Sequence, residues 1–268
     1  MKVNGKVVVV TGAGSGMGRE LTLELVRRGA SVAAIDMRKE TLDETKSLAL
    51  AIGGKVETFV VDITDAAKVA MLPADIEKKL GAVDALINNA GIIQPFVVIN
   101  ELSLESAAKV MNVNFTGPLM MVKAFLPGLL TRSEAHILNV SSMGAYAPVP
   151  GQSVYGASKA AIKLFTEGLR SELMDTNVHV TAIYPGVIET NIAQNSGMAM
   201  PADMDVHEGN KFKMTSVNVA ASTIIGAIEK NAYKVFIGSD AKTMDKLTRL
   251  MPEKAAELIY KQMKSLLG

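Results

Sequence analysis

Several residue types are absent or scarce in this chain, and each absence excludes a class of protein. It has no cysteine, so disulfide bonds and thiolate metal ligands are excluded. Its three histidines, His136, His179 and His207, lack metal-ligand spacing, so no metal site is predicted. We interpret His136 and His179 as structural and His207 as a weak candidate for substrate contact. The net charge of +1 gives no electrostatic indication of nucleic-acid or membrane binding.

Long apolar segments are missing as well. No apolar run reaches about 18 uninterrupted residues, so no membrane-spanning helix is expected. The first six residues lead straight into a predicted strand and leave no room for a signal peptide. Together with the lack of cysteine, this favours a reducing, cytoplasmic setting. A length of 268 residues with 49% hydrophobic content suits one α/β domain.

Strand-like and helix-like segments alternate along the chain. Strands are predicted at 6–11, 31–36, 55–61, 83–87, 135–141, 178–183 and 234–237. Helices are predicted at 17–29, 39–51, 65–80, 103–130, 152–175 and 218–230, with a break near Gly117 because Pro118 follows it. This alternation predicts a doubly wound parallel sheet of the Rossmann type in a single domain, 1–268.

A glycine-rich turn follows the first predicted strand. The β-branched run Val7–Val10 leads into Gly12, Gly16 and Gly18, after which a helical pattern begins. Backbone N–H groups at such a helix start bind phosphate, and glycine lets the backbone approach it. Asp36 ends the second strand, about 20 residues further on, where a carboxylate binds a ribose 2′-hydroxyl. The segment therefore predicts dinucleotide binding.

A second motif pairs Tyr155 with Lys159 downstream of Ser142. The i,i+4 spacing puts both side chains on one helical face. An ammonium group near a phenol lowers the tyrosine pKa and prepares it for proton transfer, while a serine at a strand end can hold the substrate oxygen. Alone, the spacing also fits a solvated helix face; the glycine-rich turn favours the catalytic interpretation.

Taken together, these motifs resemble the short-chain dehydrogenase/reductase family, in its compact single-domain branch. The matches run in chain order from Thr11 to Thr190, and residues after Thr190 match only loosely. They comprise Thr11-Gly12-x3-Gly16-x-Gly18, Asn88-Asn89-Ala90-Gly91, Asn114, Ser142, Tyr155, Lys159 and Pro185-Gly186-x3-Thr190.

The resemblance implies hydride transfer between a nicotinamide cofactor and a carbon bearing a hydroxyl. The implied catalytic residues are Asn114, Ser142, Tyr155 and Lys159. The implied cofactor-binding residues are Gly12, Ser15, Gly16, Met17, Gly18, Asp36, Asp62, Ile63, Asn89, Ala90, Gly91, Tyr155, Lys159, Pro185, Gly186, Ile188 and Thr190. NAD is expected rather than NADP, because Asp36 would repel a 2′-phosphate. Arg38 is the counter-evidence, since it could swing toward that phosphate.

Several of these residues have a structural alternative. Asp62 could bind the adenine amino group or cap the next helix. The 89–91 segment could line the ribose or simply form a strand-end turn. Asn114 could hold a water bonded to Lys159, as in the family, or be an ordinary polar residue at a helix kink. Ser141 is the rival of Ser142 and is interpreted as a turn residue.

The last third of the chain predicts the substrate side. Segment 187–217 is expected to be a mobile lid, since it carries Met198, Met200, Met204 and Met214, with Gly197 and Gly209 as possible hinges. The extension 241–268 predicts two amphipathic helices separated by Pro252, packed on the body or a partner subunit, or less favourably on a membrane surface. The expected substrate is therefore an apolar alcohol or ketone, and the tail is expected to help the lid close.

Self-association is also expected, because Leu119–Leu130 and the helix from Gln152 carry small or apolar residues on more than one face. A homodimer is favoured over a tetramer. Two other functions stay open. One is a nucleotide-binding regulator without turnover, which an intact catalytic set disfavours. The other is epimerase or dehydratase chemistry, for which the chain lacks a substrate domain.

Overall fold

The computed structural model describes residues 1–190, 192–196 and 214–267. Within these residues, seven strands form one parallel sheet in the order β3-β2-β1-β4-β5-β6-β7. The strands are β1 (Val7–Thr11), β2 (Ser31–Asp36), β3 (Lys55–Val60), β4 (Ala85–Asn88), β5 (Ala135–Val140), β6 (Val178–Pro185) and β7 (Lys234–Ile237). The predicted doubly wound α/β sheet is confirmed, and the strand order reverses between β1 and β4.

Helices cover both faces of this sheet. They are α1 (Gly16–Arg27), α2 (Lys39–Ala51), α3 (Ala66–Leu80), α4 (Leu104–Met111), α5 (Gly117–Leu130), α6 (Ser153–Glu172), α7 (Ile192–Asn195), α8 (Val217–Glu229), α9 (Ser239–Leu250) and α10 (Pro252–Met263). Side chains alternate along β1, so Val8 and Val10 join the core beneath α1, α2 and α8. Val7 and Val9 join the core beneath α3, α5 and α6.

The segment predicted to break near Gly117 is instead continuous. Residues Asn112–Thr116 form a π-helical turn between α4 and α5. Pro118 lies in the first turn of α5, where its missing N–H breaks no α-helical bond. The chain therefore accommodates the proline by widening one turn rather than by ending the helix.

The combined helix Leu104–Leu130 is long and apolar enough to cross a membrane by length and composition. Its position in the fold gives another reason for this apolar composition, because α5 packs against β4, β5 and α3. Met121, Val122, Phe125 and Leu129 of α5 are buried in the sheet core. These contacts are those of a central helix in an α/β domain.

The C-terminal extension forms two helices, as predicted, with Pro252 as the first residue of α10. Met244 of α9 and Ile259 of α10 are buried against Ala147. The Tyr146 hydroxyl donates to the Ala241 carbonyl over 2.9 Å. The extension therefore packs on the segment after β5, which carries Ser142.

Candidate active site

The glycine-rich turn joins β1 to α1 and fits only glycine at key positions. Gly12 and Gly16 have φ values of 67° and 51°, in the left-handed region. A Cβ on Gly18 would lie 2.0 Å from the Gly12 carbonyl oxygen. Ser15, at the N-cap of α1, makes no side-chain capping bond, and the first turn carries no acidic residue. This helix start therefore suits an anion.

Asp36 lies buried at the end of β2, beside the turn. One carboxylate oxygen accepts from the Gly14 N–H and the other from the Arg38 N–H, each over 3.0 Å. The Arg38 guanidinium donates to Ser15 Oγ (3.1 Å) and to Asn195 Oδ1 (2.8 Å), and its Nε lies 3.7 Å from Asp36. Sequence reasoning missed Asn195, which comes from α7 and also donates to Ser15 Oγ.

Asp62 and Ile63 line the same cleft after β3. The Asp62 carboxylate accepts from the backbone N–H and the hydroxyl of Thr64. The N-cap of α3 is Asp65, which accepts from the Lys68 N–H over 3.1 Å. The capping alternative for Asp62 is therefore wrong, because the chain turns once more before the helix begins.

The segment after β4 is held by the end of β1. The Thr11 hydroxyl accepts from the backbone N–H groups of Asn89 and Ala90, and Asn89 Nδ2 donates to the Thr11 carbonyl. A Cβ on Gly91 would lie 3.1 Å from Lys159 Nζ and 3.2 Å from Asn114 Oδ1. The segment is thus both a strand-end turn and a wall of the cleft.

Asn114 lies inside the π-helical turn and is 1% exposed. Its side chain exchanges two 2.9 Å hydrogen bonds with the backbone of Ile92. Its amide also donates to Ser158 Oγ on α6, over 2.9 Å. Asn114 therefore joins three elements near Lys159, and π-turns recur at functional sites. Its expected water-holding role stays a prediction.

Ser141 and Ser142 differ in the groups to which they hydrogen-bond. Ser141 Oγ is buried and donates to the Lys159 carbonyl over 2.7 Å, so it ties β5 to α6 rather than forming a turn. Ser142 Oγ accepts from the Gly144 N–H, and it lies with the Tyr155 ring around the Cβ position of Gly144, at 3.5 Å and 3.1 Å. Ser142, not Ser141, is the serine beside the tyrosine.

The opposite wall is formed by the end of β6. Gly186 has no room for a Cβ, which would lie 2.0 Å from the Asp240 carboxylate. That carboxylate accepts from the Val187 N–H over 2.7 Å. Asp240 is buried in the first turn of α9 and was missed as a site-shaping residue. Ile188 bridges to Thr215.

The other predicted contacts fall in different places. Thr190 lies across the cleft from the glycine turn, with its methyl carbon 3.4 Å from the Cβ position of Gly16. His136 and His179 sit on adjacent strands, where His136 bonds Thr181 and His179 lies 3.8 Å from Glu134. Burial lowers the pKa of His136 to about 3, consistent with a structural role. His207 lies outside the described residues.

One cleft of about 910 Å³ is lined by the glycine turn, Asp36, Asp62, the 89–91 segment, Ser142, Tyr155, Lys159 and Thr190, while Asn114 and Asp240 lie behind its lining. The glycine turn, Asp36 and Asp62 lie at one end, and Ser142, Tyr155 and Lys159 at the other. The described residues contain no cluster of three histidine or acidic side chains able to hold a metal. The cleft therefore brings together a helix start suited to an anion, a buried carboxylate and a tyrosine–lysine pair whose lysine is buried.

Comparison with known proteins agrees with this arrangement. The family profile described as short chain dehydrogenase matches residues 6–201. A Mycobacterium tuberculosis protein named as an oxidoreductase, SadH, is 34% identical over 260 residues, covering 95% of this chain and 94% of its own length. The chain belongs to the short-chain dehydrogenase family.

Solved structures of short-chain dehydrogenases share the fold. One from Burkholderia phymatum, in complex with NAD, is 25% identical with a TM-score of 0.82 and covers 93% of this chain and 96% of its own. One from Burkholderia cenocepacia, in complex with NADP, is 30% identical with a TM-score of 0.80 and covers 97% and 99%. The family and these likenesses support a nicotinamide cofactor for this short-chain dehydrogenase.

The two titratable groups of the proton-transfer end respond oppositely to burial. Burial raises the pKa of Tyr155, and the neighbouring Ser142 side chain acts to lower it. Burial lowers the pKa of Lys159 to about 8, and its Nζ donates to the Val140 carbonyl over 3.1 Å. The expected net lowering of the Tyr155 pKa by Lys159 is therefore not found, because desolvation dominates.

The depressed pKa of Lys159 predicts a stability difference at alkaline pH. Between about 8 and 10.5, its ordinary value, the unfolded chain holds a proton that the folded chain has lost, so stability rises with pH. The free energy of unfolding of the wild type minus that of Lys159→Met should rise across this window by on the order of 2 kcal/mol. Urea denaturation at several pH values measures it.

The control is Lys78→Met, which removes an exposed lysine from α3. Its difference from the wild type should stay flat over the same window. A flat difference for Lys159→Met as well would show that the lysine titrates alike in both states.

Proposed function

We propose that this short-chain dehydrogenase transfers a hydride between a nicotinamide cofactor, preferably NAD, and the carbinol or carbonyl carbon of an apolar alcohol or ketone. The observation that carries the proposal is that Ser142, Tyr155 and the glycine turn line one cleft, with Ser142 Oγ and the Tyr155 ring both within 3.5 Å of the Cβ position of Gly144. Lys159 lies one helical turn from Tyr155 on α6.

The residues present fit a dinucleotide. The uncapped start of α1 and the Gly12–Gly18 turn would hold the pyrophosphate. Asp36 would bind the adenosine ribose and Asp62 the adenine amino group. The other assigned contacts are Ser15 and Met17 at the turn, Ile63, Asn89, Ala90 and Gly91 along the adenosine wall, and Pro185, Gly186, Ile188 and Thr190 at the nicotinamide side.

The bound cofactor supplies a carbon that accepts or gives the hydride. In the oxidation direction Tyr155, as phenolate, takes the proton of the substrate hydroxyl. Ser142 donates a hydrogen bond to that oxygen and holds it in place. Loss of that proton would make the alcohol carbon the hydride donor in this direction, and the carbonyl would form there. Lys159 favours the phenolate through its charge, and Asn114 holds the wall beside it.

Turnover should depend on Tyr155 and Ser142. Tyr155→Phe keeps the ring but loses the transferable proton, and Ser142→Ala loses the oxygen donor, so kcat should fall about a hundredfold or more in each. The measurement follows reduced-cofactor absorbance in a screen of secondary alcohols and ketones with both NAD and NADP. An unchanged rate in Tyr155→Phe would refute this chemistry.

Ser141→Ala is the matched control for the neighbouring hydroxyl. It removes a bond to the Lys159 carbonyl rather than a group at the reacting end, so its loss of kcat should be much smaller than that of Ser142→Ala. Cofactor binding without turnover by the wild type would instead point to the regulator alternative.

The preference for NAD rests on competition between Asp36 and Arg38. Asp36 is fixed by two backbone N–H groups at the ribose end, and a 2′-phosphate beside it would be repelled. Arg38 could instead attract a 2′-phosphate, but its guanidinium is hydrogen-bonded to Ser15 and Asn195. The described geometry therefore supports NAD.

We expect kcat/KM to be higher with NAD than with NADP. Asp36→Ala should lower the ratio of kcat/KM with NAD to kcat/KM with NADP by about tenfold. The substitution removes both the acceptor for the ribose hydroxyl and the repulsion of a 2′-phosphate. Arg38→Leu should raise the same ratio, because it weakens the binding of NADP alone. Equal or better efficiency of the wild type with NADP would contradict the preference.

The substrate side of the cleft is lined mainly by apolar side chains, which supports an apolar alcohol or ketone. Ile92, Ile93, Val187, Ile188 and Ile192 contribute to this lining. The expected lid residues Met198, Met200 and Met204, with the hinges Gly197 and Gly209, lie outside the described residues. Met214 is described and half-buried. Small polar polyols as the best substrates would contradict this proposal.

The tail is proposed to support the substrate side. Its helices pack on Met143 and Ala147, directly after Ser142. Its end reaches the loop just before α6, since a Cβ on Gly151 would lie 2.9 Å from Leu267 Cδ2. Removing the tail would loosen the segment that carries Ser142.

Truncation after Asp240 should raise the KM for the alcohol several-fold while leaving the KM for NAD nearly unchanged. Ile259→Asn tests the same contact in the full chain, because Ile259 is 2% exposed. Tyr260→Asn, on the exposed side of α10, is its control. Unchanged alcohol affinity in a folded, truncated enzyme would rule out the tail's part in the pocket.

We also propose a homodimer formed through α5 and α6. The outer face of α6 exposes Leu164, and α5 exposes Leu130 at its end. A monomer mass by light scattering at micromolar concentration would refute it. The cytoplasmic setting stays a prediction.

A further inference from the structure

Three consecutive residues after β4 each contact a different part of the site. The backbone of Ile92 bonds the Asn114 side chain in both directions. The Ile93 N–H donates to Ser196 Oγ over 3.1 Å. Gln94 reaches the start of α6. The segment Ile92–Gln94 therefore joins the π-helical turn, the end of α7 and the helix that carries Tyr155.

The Gln94 side chain is buried, and both ends of its amide are hydrogen-bonded. Its Oε1 accepts from the backbone N–H groups of Val154 (2.8 Å) and Tyr155 (2.9 Å). Its Nε2 donates to the Gly151 carbonyl over 2.8 Å. With 1% exposure, it is among the most buried polar residues of the described chain.

These bonds replace a local helix cap. The first N–H groups of an α-helix lack partners within the helix, and a side chain at the N-cap usually accepts from one of them. The N-cap residue of α6, Gln152, makes no such bond. Its amide instead donates to the Gln94 carbonyl over 2.8 Å. Gln94 thus caps α6 from another element, and Gln152 anchors Gln94 in return.

The backbone of Tyr155 is bonded on both sides. Its N–H donates to Gln94, and its carbonyl accepts from Ser158 Oγ over 2.7 Å. Ser158 in turn accepts from Asn114, which is bonded to Ile92. Both routes therefore lead to the same three-residue segment, so its position determines where the first turn of α6 lies.

We propose that Gln94 is a positioning residue for Tyr155: by capping α6 from the segment after β4, it fixes the phenol against Ser142. The inference rests on the proposed function only in taking Tyr155 as the proton-transfer group. The side chain must be long enough to reach α6, accept two N–H bonds and donate to the Gly151 carbonyl. A neutral glutamine meets all three requirements, whereas an ionised glutamate meets the first two and methionine only the first.

The first test is Gln94→Met, which keeps approximate size and loses every side-chain bond. Amide hydrogen exchange at Val154 and Tyr155 should speed up at least about tenfold, because both N–H groups lose their acceptor. Displacement of the phenol should lower kcat by about tenfold to a hundredfold, while the KM for NAD stays within about twofold of the wild type.

The control is Ser103→Ala, which removes the side-chain cap of α4, where Ser103 Oγ accepts from the Ser106 N–H over 3.1 Å on the exposed surface. It should cost comparable stability and leave kcat unchanged. A Gln94→Met enzyme with wild-type kcat, or with wild-type exchange at Val154 and Tyr155, overturns the proposal. So does an equal loss of NAD affinity and kcat, which would indicate general disorder.

The second test is Gln94→Glu, which restores the acceptor for both N–H groups near the positive end of a helix. Exchange protection should return toward the wild type. The added negative charge should disfavour the phenolate, so the pH midpoint for the rise of kcat in the oxidation direction should move up by about half a unit or more.

The charges that face Tyr155 must be considered in this comparison. Lys159 lies on the same helix, and Ser142 on the end of β5 is uncharged. The other charged side chains lining the described cleft are Asp36, Arg38, Asp62, Glu105 and Lys109. All of them are identical in the wild type and the variants, so a shift of the midpoint reports the change at Gln94. An unshifted midpoint with restored exchange protection would overturn the link to the phenol.

The proposed function and the positioning role of Gln94 can be refuted independently of each other. If the wild type oxidises no alcohol and reduces no ketone, the proposed function fails, and exchange at Val154 and Tyr155 still decides whether Gln94 holds the helix start. If the wild type turns over and Gln94→Met matches it, the function stands and the positioning role is refuted.

Discussion

The common direction of the strands is the constraint on which the site depends. Since every strand in the described sheet runs the same way, the chain leaves β1, β2, β4, β5 and β6 at one edge. The reversal of strand order between β1 and β4 opens a crevice at that edge. The Thr11 hydroxyl, at the end of β1, accepts hydrogen bonds from the backbone N–H groups of Asn89 and Ala90 after β4. It thereby forms the floor of the crevice. Residues far apart in sequence therefore lie close together at that edge, because the parallel strands that precede them all end there.

This constraint explains why much of the site can be predicted from sequence. Asp36 ends β2 and Ser142 lies two residues after β5, so a strand assignment places both at the edge. Helical spacing places Tyr155 and Lys159 on one face, and the glycine-rich turn elsewhere in the chain favours the catalytic interpretation of that pair. Gln94, Asn195 and Asp240 could not be found this way, because each acts on another element through hydrogen bonds that carry no periodicity. Asp240 follows the last predicted strand, and nothing in the sequence pattern indicates its bond to the Val187 N–H.

Local rules failed where two of them competed. Asp62 and Asp65 both precede α3, and sequence propensity makes either a good cap. The structure gives the cap to Asp65 and leaves Asp62 in the cleft wall. Pro118 predicted a helix end, yet a proline in the first turn of α5 needs none. The chain absorbs the strain in the π-turn that carries Asn114.

The electrostatics of the pair Tyr155–Lys159 follow from burial rather than from their mutual attraction. Burial disfavours the phenolate and the ammonium alike, so it raises one pKa and lowers the other. Both groups are thereby pushed toward their neutral forms. Transfer of the phenol proton toward the amine would leave the net charge of the pair unchanged. A phenolate is therefore least costly while a cation stays beside it and Ser142 donates to it. Gly91 allows this closeness on the other side, because a Cβ there would lie 3.1 Å from the lysine nitrogen. The geometry that keeps Ser142, Tyr155 and Lys159 together is thus what opposes the desolvation that their burial imposes.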